Sequence, residues 1–220
     1  MVNVTVTDSK KRYFNGIAAI LAAVICLFAV SGCGNTESEI TGDRDISCDA
    51  VFYGDSITAG NNFDEIFPDL KIVDCGLGGA TIEDLTERVS LVGAHRPAKV
   101  FVMAGGNDLN SRNIDQCVEL YRGLLDAIRK ECPYAVIYVE SMLPIDKAVG
   151  YFNDCTNPVI RSFNKSIKAL AGEYGITYID IYPAYEHGGG LDKKYSKDGI
   201  HLDPGAFGPW AEIVRPFLES

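Results

Sequence analysis

The stretch Tyr53-Gly54-Asp55-Ser56-Ile57-Thr58-Ala59-Gly60 ends an apolar run, Ala50–Tyr53, on a glycine, an acid and a serine. Taken alone, Asp55-Ser56 fits two roles equally well. Ser and Asp are preferred helix N-caps, and a serine just past the carboxyl end of a strand stands where open α/β sheets bind ligands. A serine hydroxyl becomes a nucleophile only when a base takes its proton, and His201 is the candidate base because imidazole titrates near neutrality. Asp198 lies three residues before it. One helical turn would put both on one face, with the carboxylate holding the second ring N–H. The glycines of Gly76-Leu77-Gly78-Gly79 would let backbone N–H groups approach a developing oxyanion, and the Asn107 side chain offers another donor. Gly79 and Asn107 are the candidates for that role.

These residues need elements to gather them. Short, nearly continuous apolar runs at Ala50–Tyr53, Ile72–Cys75, Val100–Met103, Val136–Val139 and Thr177–Ile181 predict five strands buried on both faces. Between them, Ile114, Cys117, Val118, Tyr121, Leu124, Leu125 and Ile128 keep helical spacing. A second helix runs from Pro158 to Tyr174, with proline in its first turn and Gly175 past its end. A shorter one runs from Thr81 towards Val92, and a last from Phe207 to Leu218. Strands alternating with helices predict a three-layer, doubly wound α/β fold with a mainly parallel five-stranded sheet in flavodoxin-like order. The carboxyl ends of parallel strands share one edge. Ser56, Gly76–Thr81, Gly105–Asp108 and the loop to His201 then become neighbours.

Each signal has a plainer reading. An Asp-x-x-His pair is usually surface polarity, a glycine cluster a turn, and Asn107-Asp108 a turn or helix cap. Gly76–Gly79 lacks both the full dinucleotide fingerprint and a P-loop lysine. His95 and His187 read as solvent-facing, and Asp55 as a structural hydrogen-bonder. The joint ordering at successive strand ends is what raises the catalytic reading above these.

That ordering resembles the SGNH hydrolases, the GDSL esterase/lipase family. Gly54-Asp55-Ser56-Ile57, Gly76–Thr81, Gly105-Gly106-Asn107-Asp108 and Asp198-Gly199-Ile200-His201-Leu202 match its four blocks. Ala80 replaces an acid often found in the second block, and Ala206 a glycine common after the fourth. The resemblance implies a flavodoxin-like fold with Ser56 as nucleophile, His201 as base and Asp198 as orienting acid. It also implies an oxyanion hole from the Ser56 and Gly79 N–H groups and the Asn107 amide, with no metal or other cofactor. The G-x-S-x-G elbow of the α/β-hydrolases is absent.

Ahead of this domain, Lys10-Lys11-Arg12 and the apolar run Gly16–Val30 lead to Ser31-Gly32-Cys33. A basic start, an apolar middle and small residues at the end make an export signal, and the run is short for a spanning helix. Its last residues resemble the lipobox of bacterial lipoproteins. The sequence thus divides into a signal over 1–33 with Cys33 as the lipidation site, a polar tether over 34–47, and a catalytic domain over 48–220. A lipid anchor outside the cytoplasmic membrane is expected. The net charge of −10 deepens once Lys10, Lys11 and Arg12 are removed, which argues against a nucleic-acid partner. Five cysteines follow Cys33, an odd number that leaves at least one thiol unpaired. Cys75 and Cys117 fall on core faces, and a bridge such as Cys48 to Cys155 stays open.

The expected partner is an acyl-ester substrate. Little chain separates Ser56 from the second strand, so there is no room for a large lid, and Asn61-Asn62-Phe63-Asp64-Glu65 is polar. A short-acyl, acetyl-type esterase acting on carbohydrate is the first reading. Lysophospholipid or lipase-type hydrolysis, acyl transfer to an envelope glycan, and a lipid-anchored binding protein without turnover are the alternatives.

Overall fold

A computed structural model describes residues 46–146, 148 and 154–220. Cys33, the leader and nearly all of the tether lie outside the described residues. The chain runs β1 (Cys48–Gly54), α1 (Ser56–Ala59), α2 (Phe63–Ile66), β2 (Ile72–Asp74), α3 (Ile82–Ala94), β3 (Pro97–Met103), α4 (Ile114–Glu131), β4 (Val136–Glu140), α5 (Asn157–Glu173) and β5 (Thr177–Ile179). It closes with α6 (Tyr182–Tyr185), the hairpin strands β6 (Glu186–His187) and β7 (Gly190–Leu191), and α7 (Gly208–Leu218). The five main strands pair in the order β2-β1-β3-β4-β5, all in parallel. This is the flavodoxin-like order expected.

Strand alternation sorts the core into two layers. Val51, Tyr53, Val100, Val102, Ile137 and Val139 face one side. There they meet α4 through Cys117, Tyr121, Leu124, Leu125 and Ile128, all fully buried. Burying a Leu or Ile side chain contributes roughly 1.5–3 kcal/mol, so this helix is held by its stripe rather than by propensity. Its start is fixed by a capping box, Asn113 with Gln116, and α3 starts with another, Thr81 with Asp84. On the other side, Phe52, Phe101 and Tyr138 stack across neighbouring strands at centroid separations of 4.6 and 4.7 Å. Trp210 of α7 packs edge-on against Phe52 at 5.1 Å.

Two boundaries differ from the periodicity. The fifth strand ends at Ile179, not Ile181, because the Ser141 hydroxyl accepts from the N–H groups of Ile181 and Tyr182, each at 2.8 Å. The backbone is thereby drawn out of the ladder into α6. The third strand begins at Pro97, paired with Cys48; proline is tolerated at a strand's first residue. The cysteines are also settled: Cys48, Cys75, Cys117, Cys132 and Cys155 are all free thiols. Four of them are buried and act as small apolar side chains, so no Cys48–Cys155 bridge forms.

Candidate active site

The two readings of Asp55-Ser56 are divided between the two residues. Asp55 is the N-cap of α1, its Oδ1 accepting from Ile57 N–H at 3.0 Å. Ser56 is thereby released from capping and opens the helix. Gly54 is required by close approach, since a Cβ there would lie 2.3 Å from the Met103 carbonyl oxygen and 2.3 Å from Thr58 Oγ1. Burial raises the Asp55 carboxyl to about 6, against the Ile57 hydrogen bond, which lowers it.

Ser56 Oγ stands 2.9 Å from His201 Nε2, and His201 Nδ1 stands 2.7 Å from Asp198 Oδ2. Serine, histidine and aspartate therefore form one continuous hydrogen-bonded chain. Asp198 and His201 do not lie on a helical turn, as their spacing predicts. They sit in a loop folded around the acid, whose Oδ1 accepts from Ile200 N–H and His201 N–H, each at 2.8 Å. Ser196 Oγ adds a third donor at 3.2 Å. Gly199, at φ +81°, supplies the left-handed residue this turn needs. Partial burial pushes the Asp198 carboxyl up, but bonds from the His201 ring and from the two N–H groups outweigh it. The carboxyl is held well below the usual carboxylate range, so Asp198 is ionised whenever His201 needs a counter-charge.

Gly79, Gly106 and Asn107 line a cavity of about 250 Å³ together with Ser56 and His201. Gly79 adopts φ +75°, and a Cβ there would meet nothing within 4 Å; conformation rather than space makes it glycine. Asn107 donates from Nδ2 to the Ala80 carbonyl at 2.9 Å. That bond fixes the side chain and leaves the amide's second N–H to donate elsewhere. Asp108 does what its neighbour cannot. Fully buried, its Oδ2 accepts from Ile82 N–H at 3.0 Å and its Oδ1 from Arg112 Nη1 at 2.9 Å. The loops after β2 and β3 are thus tied together at Ala80 and Ile82, immediately after Gly79. Asn107→Ala is expected to lower kcat by on the order of 10²-fold or more, the scale for losing one oxyanion donor, with KM little changed. Steady-state kinetics on a nitrophenyl ester checks it, and an unchanged kcat would remove Asn107 from the site.

One wall carries no motif in the sequence. Met142, Leu143, Pro144, Ile145 and Cys155 line the cavity from the segment between β4 and α5, joined by Met103 and Ile200. Two asparagines of α5 clamp that segment. Asn164 bonds both the N–H and the carbonyl of Met142, at 2.9 and 3.0 Å. Asn157 does the same for Ile145, at 2.9 and 2.7 Å. The signal was available, because this segment leaves the fourth strand at the same carboxyl edge as the other loops. His187 is exposed on the β6–β7 hairpin and His95 is half-buried at the end of α3; neither lines the cavity.

A parallel five-stranded sheet carrying a hydrogen-bonded serine, histidine and aspartate at its carboxyl edge is the arrangement of a serine hydrolase. The chain matches the GDSL-like Lipase/Acylhydrolase family over residues 52–205, and it belongs to that family; it is an ester hydrolase. No curated protein matches it by sequence. Among solved structures, a GDSL-like lipase from Bacteroides thetaiotaomicron is similar at 22% identity and TM-score 0.68, over 77% of this chain and 87% of that one. An acetyl xylan esterase is similar at 21% and 0.63, over 76% and 98%. A family 3 carbohydrate esterase from Talaromyces cellulolyticus is similar at 20% and 0.61, over 77% and 96%. At such identities the likeness establishes the fold.

Proposed function

We propose that the protein is an exported serine esterase that hydrolyses short-chain acyl esters, acetyl esters of carbohydrate among them, through an acyl-Ser56 intermediate. The observation that carries this reading is the unbroken Asp198–His201–Ser56 hydrogen-bonded chain at the mouth of the cavity. His201 Nε2 takes the Ser56 proton as Oγ attacks the ester carbonyl, and Asp198 stabilises the imidazolium. The tetrahedral oxyanion is held by the N–H groups of Ser56 and Gly79 and by the Asn107 amide. His201 then gives its proton to the departing alkoxide. Water attacks the acyl-serine in the second half, with His201 again the base.

The cavity supports a short acyl group. Its wall of Met103, Met142, Leu143, Pro144, Ile145 and Ile200 is apolar, and its volume of about 250 Å³ falls below the roughly 300–1,000 Å³ of drug-sized sites. That space suits a short acyl group better than a long fatty chain. The opposite side is open, with the His201 and Asp198 side chains 46% and 55% exposed, so the alcohol can be as bulky as a glycan. Export and lipid anchoring at Cys33 rest on the leader sequence.

The test is a hydrolysis screen of the exported domain. Acetyl, butyryl, octanoyl and palmitoyl nitrophenyl esters, acetylated xylan and lysophospholipid would be compared by kcat/KM. The expected result is a maximum at acetyl or butyryl, a steep fall by palmitoyl, and acetate release from the glycan. A rate that climbs steadily to palmitoyl would overturn the acyl assignment.

A further inference from the structure

Glu140 is out of place for an acid. It ends β4 and shares the alternation of Tyr138, on the face packed by Phe52, Phe101 and Trp210, and it is 5% exposed. Trp210 hydrogen-bonds to its carboxyl through its side chain, yet its Oε1 has no partner. A buried amide oxygen, Asn61 Oδ1, is also without a partner. The two residues line one small cavity with Thr58, Phe52, Phe63 and Trp210. Its volume is about 10 Å³, close to the roughly 10–15 Å³ that one water requires. An unpartnered carboxyl oxygen, an unpartnered amide oxygen and a water-sized space form a site that one water satisfies, bonding Glu140 Oε1 and donating to Asn61 Oδ1.

The position gives that site a consequence. Ile57, Met103 and Leu143 line both this cavity and the catalytic one, so a single wall separates Glu140 from the reacting centre. The helix that carries Ser56 is only four residues long, and one turn does not hold itself in water. Its front is fixed by the Asp55 cap. Its far end runs into Gly60 and Asn61, whose N–H donates to the Thr58 carbonyl at 3.1 Å.

We propose that Glu140 is a positioning residue for Ser56, acting through one buried water that it shares with Asn61 and that ties the far end of the nucleophile helix to the sheet. This rests on the serine-esterase reading above. Burial lifts the Glu140 carboxyl to about 8, so at neutral pH it is mostly a neutral acid with one donor and one acceptor face. Glutamine reproduces that pattern; leucine fills a similar volume and offers neither.

Glu140→Gln and Glu140→Leu would be compared with wild type at neutral pH in kcat, KM, thermal midpoint and the rate of fluorophosphonate labelling. Glu140→Gln is expected to keep kcat within a few-fold. Glu140→Leu should lose about tenfold or more in kcat and labelling rate, with KM unchanged, because small misplacements of a reacting group carry penalties up to 10²-fold. Wild-type kcat in Glu140→Leu, or equal losses in both variants, would overturn the proposal. A crystal structure of the wild type tests it independently of folding and of turnover. A water within hydrogen-bonding distance of Glu140 Oε1 and Asn61 Oδ1 supports it; an empty cavity or a direct contact between the two side chains refutes it. An enzyme without esterase activity would overturn the functional reading while leaving that water to be seen.

Discussion

Ser56→Ala is expected to lower kcat/KM by on the order of 10⁶-fold, and His201→Ala by a similar factor, as when either partner of a serine–histidine pair is lost. The reason lies in the shared proton. With Ser56 Oγ 2.9 Å from His201 Nε2, the proposed mechanism makes attack and deprotonation one event, so neither residue should work without the other. The double variant should therefore be no worse than either single one. Neither substitution should unfold the domain. Ser56 is only partly buried, and the α1 cap belongs to Asp55. Acetate release and the thermal midpoint, measured together, check this. Additive losses in the double variant would mean that the two residues act separately.

Asp198→Ala is expected to cost on the order of 10⁴-fold in kcat, less than loss of the nucleophile or base. Asp198 does two jobs with two oxygens. Oδ2 fixes the ring and its tautomer, while Oδ1 gathers Ile200 N–H and His201 N–H and so shapes the loop that presents the ring. Asp198→Asn keeps an acceptor for the loop but can present an amide N–H to the ring. Its fold should survive with most of the activity lost. Because those hydrogen bonds outweigh burial and hold the carboxyl below the usual range, the carboxylate stays charged throughout the range in which imidazoles titrate. A kcat for Asp198→Ala within tenfold of wild type would show that the loop alone orients His201.

The fold was legible because its evidence is local. Five apolar runs and the stripe from Cys117 to Ile128 are set by which residues must be buried, and parallel pairing then brings the strand ends together. The gathering of Ser56, Gly79, Asn107 and His201 around one cavity follows from that topology. What escaped depends on single side-chain bonds that periodicity does not carry. Ser141 stops β5, Asn157 and Asn164 clamp the apolar wall, and Asp108 ties the start of α3 to the loop after β3 through Ile82 N–H and Arg112. The Asp198–His201 turn shows the same limit. A spacing of three suggests a helix, but a carboxylate accepting from the N–H groups two and three residues ahead builds a tight loop that gives the same adjacency. The short helices α1, α2 and α6 span barely one turn each, too little to leave a periodic signature.

The central claim is that an acyl group passes through a covalent bond to Ser56. Fluorophosphonate labelling of the protein, followed by intact mass and peptide mapping, tests it most directly. The account predicts one adduct per chain, located on Ser56, formed slowly in His201→Ala and not at all in Ser56→Ala. An unlabelled wild type, or equal labelling of Ser56→Ala, would contradict it.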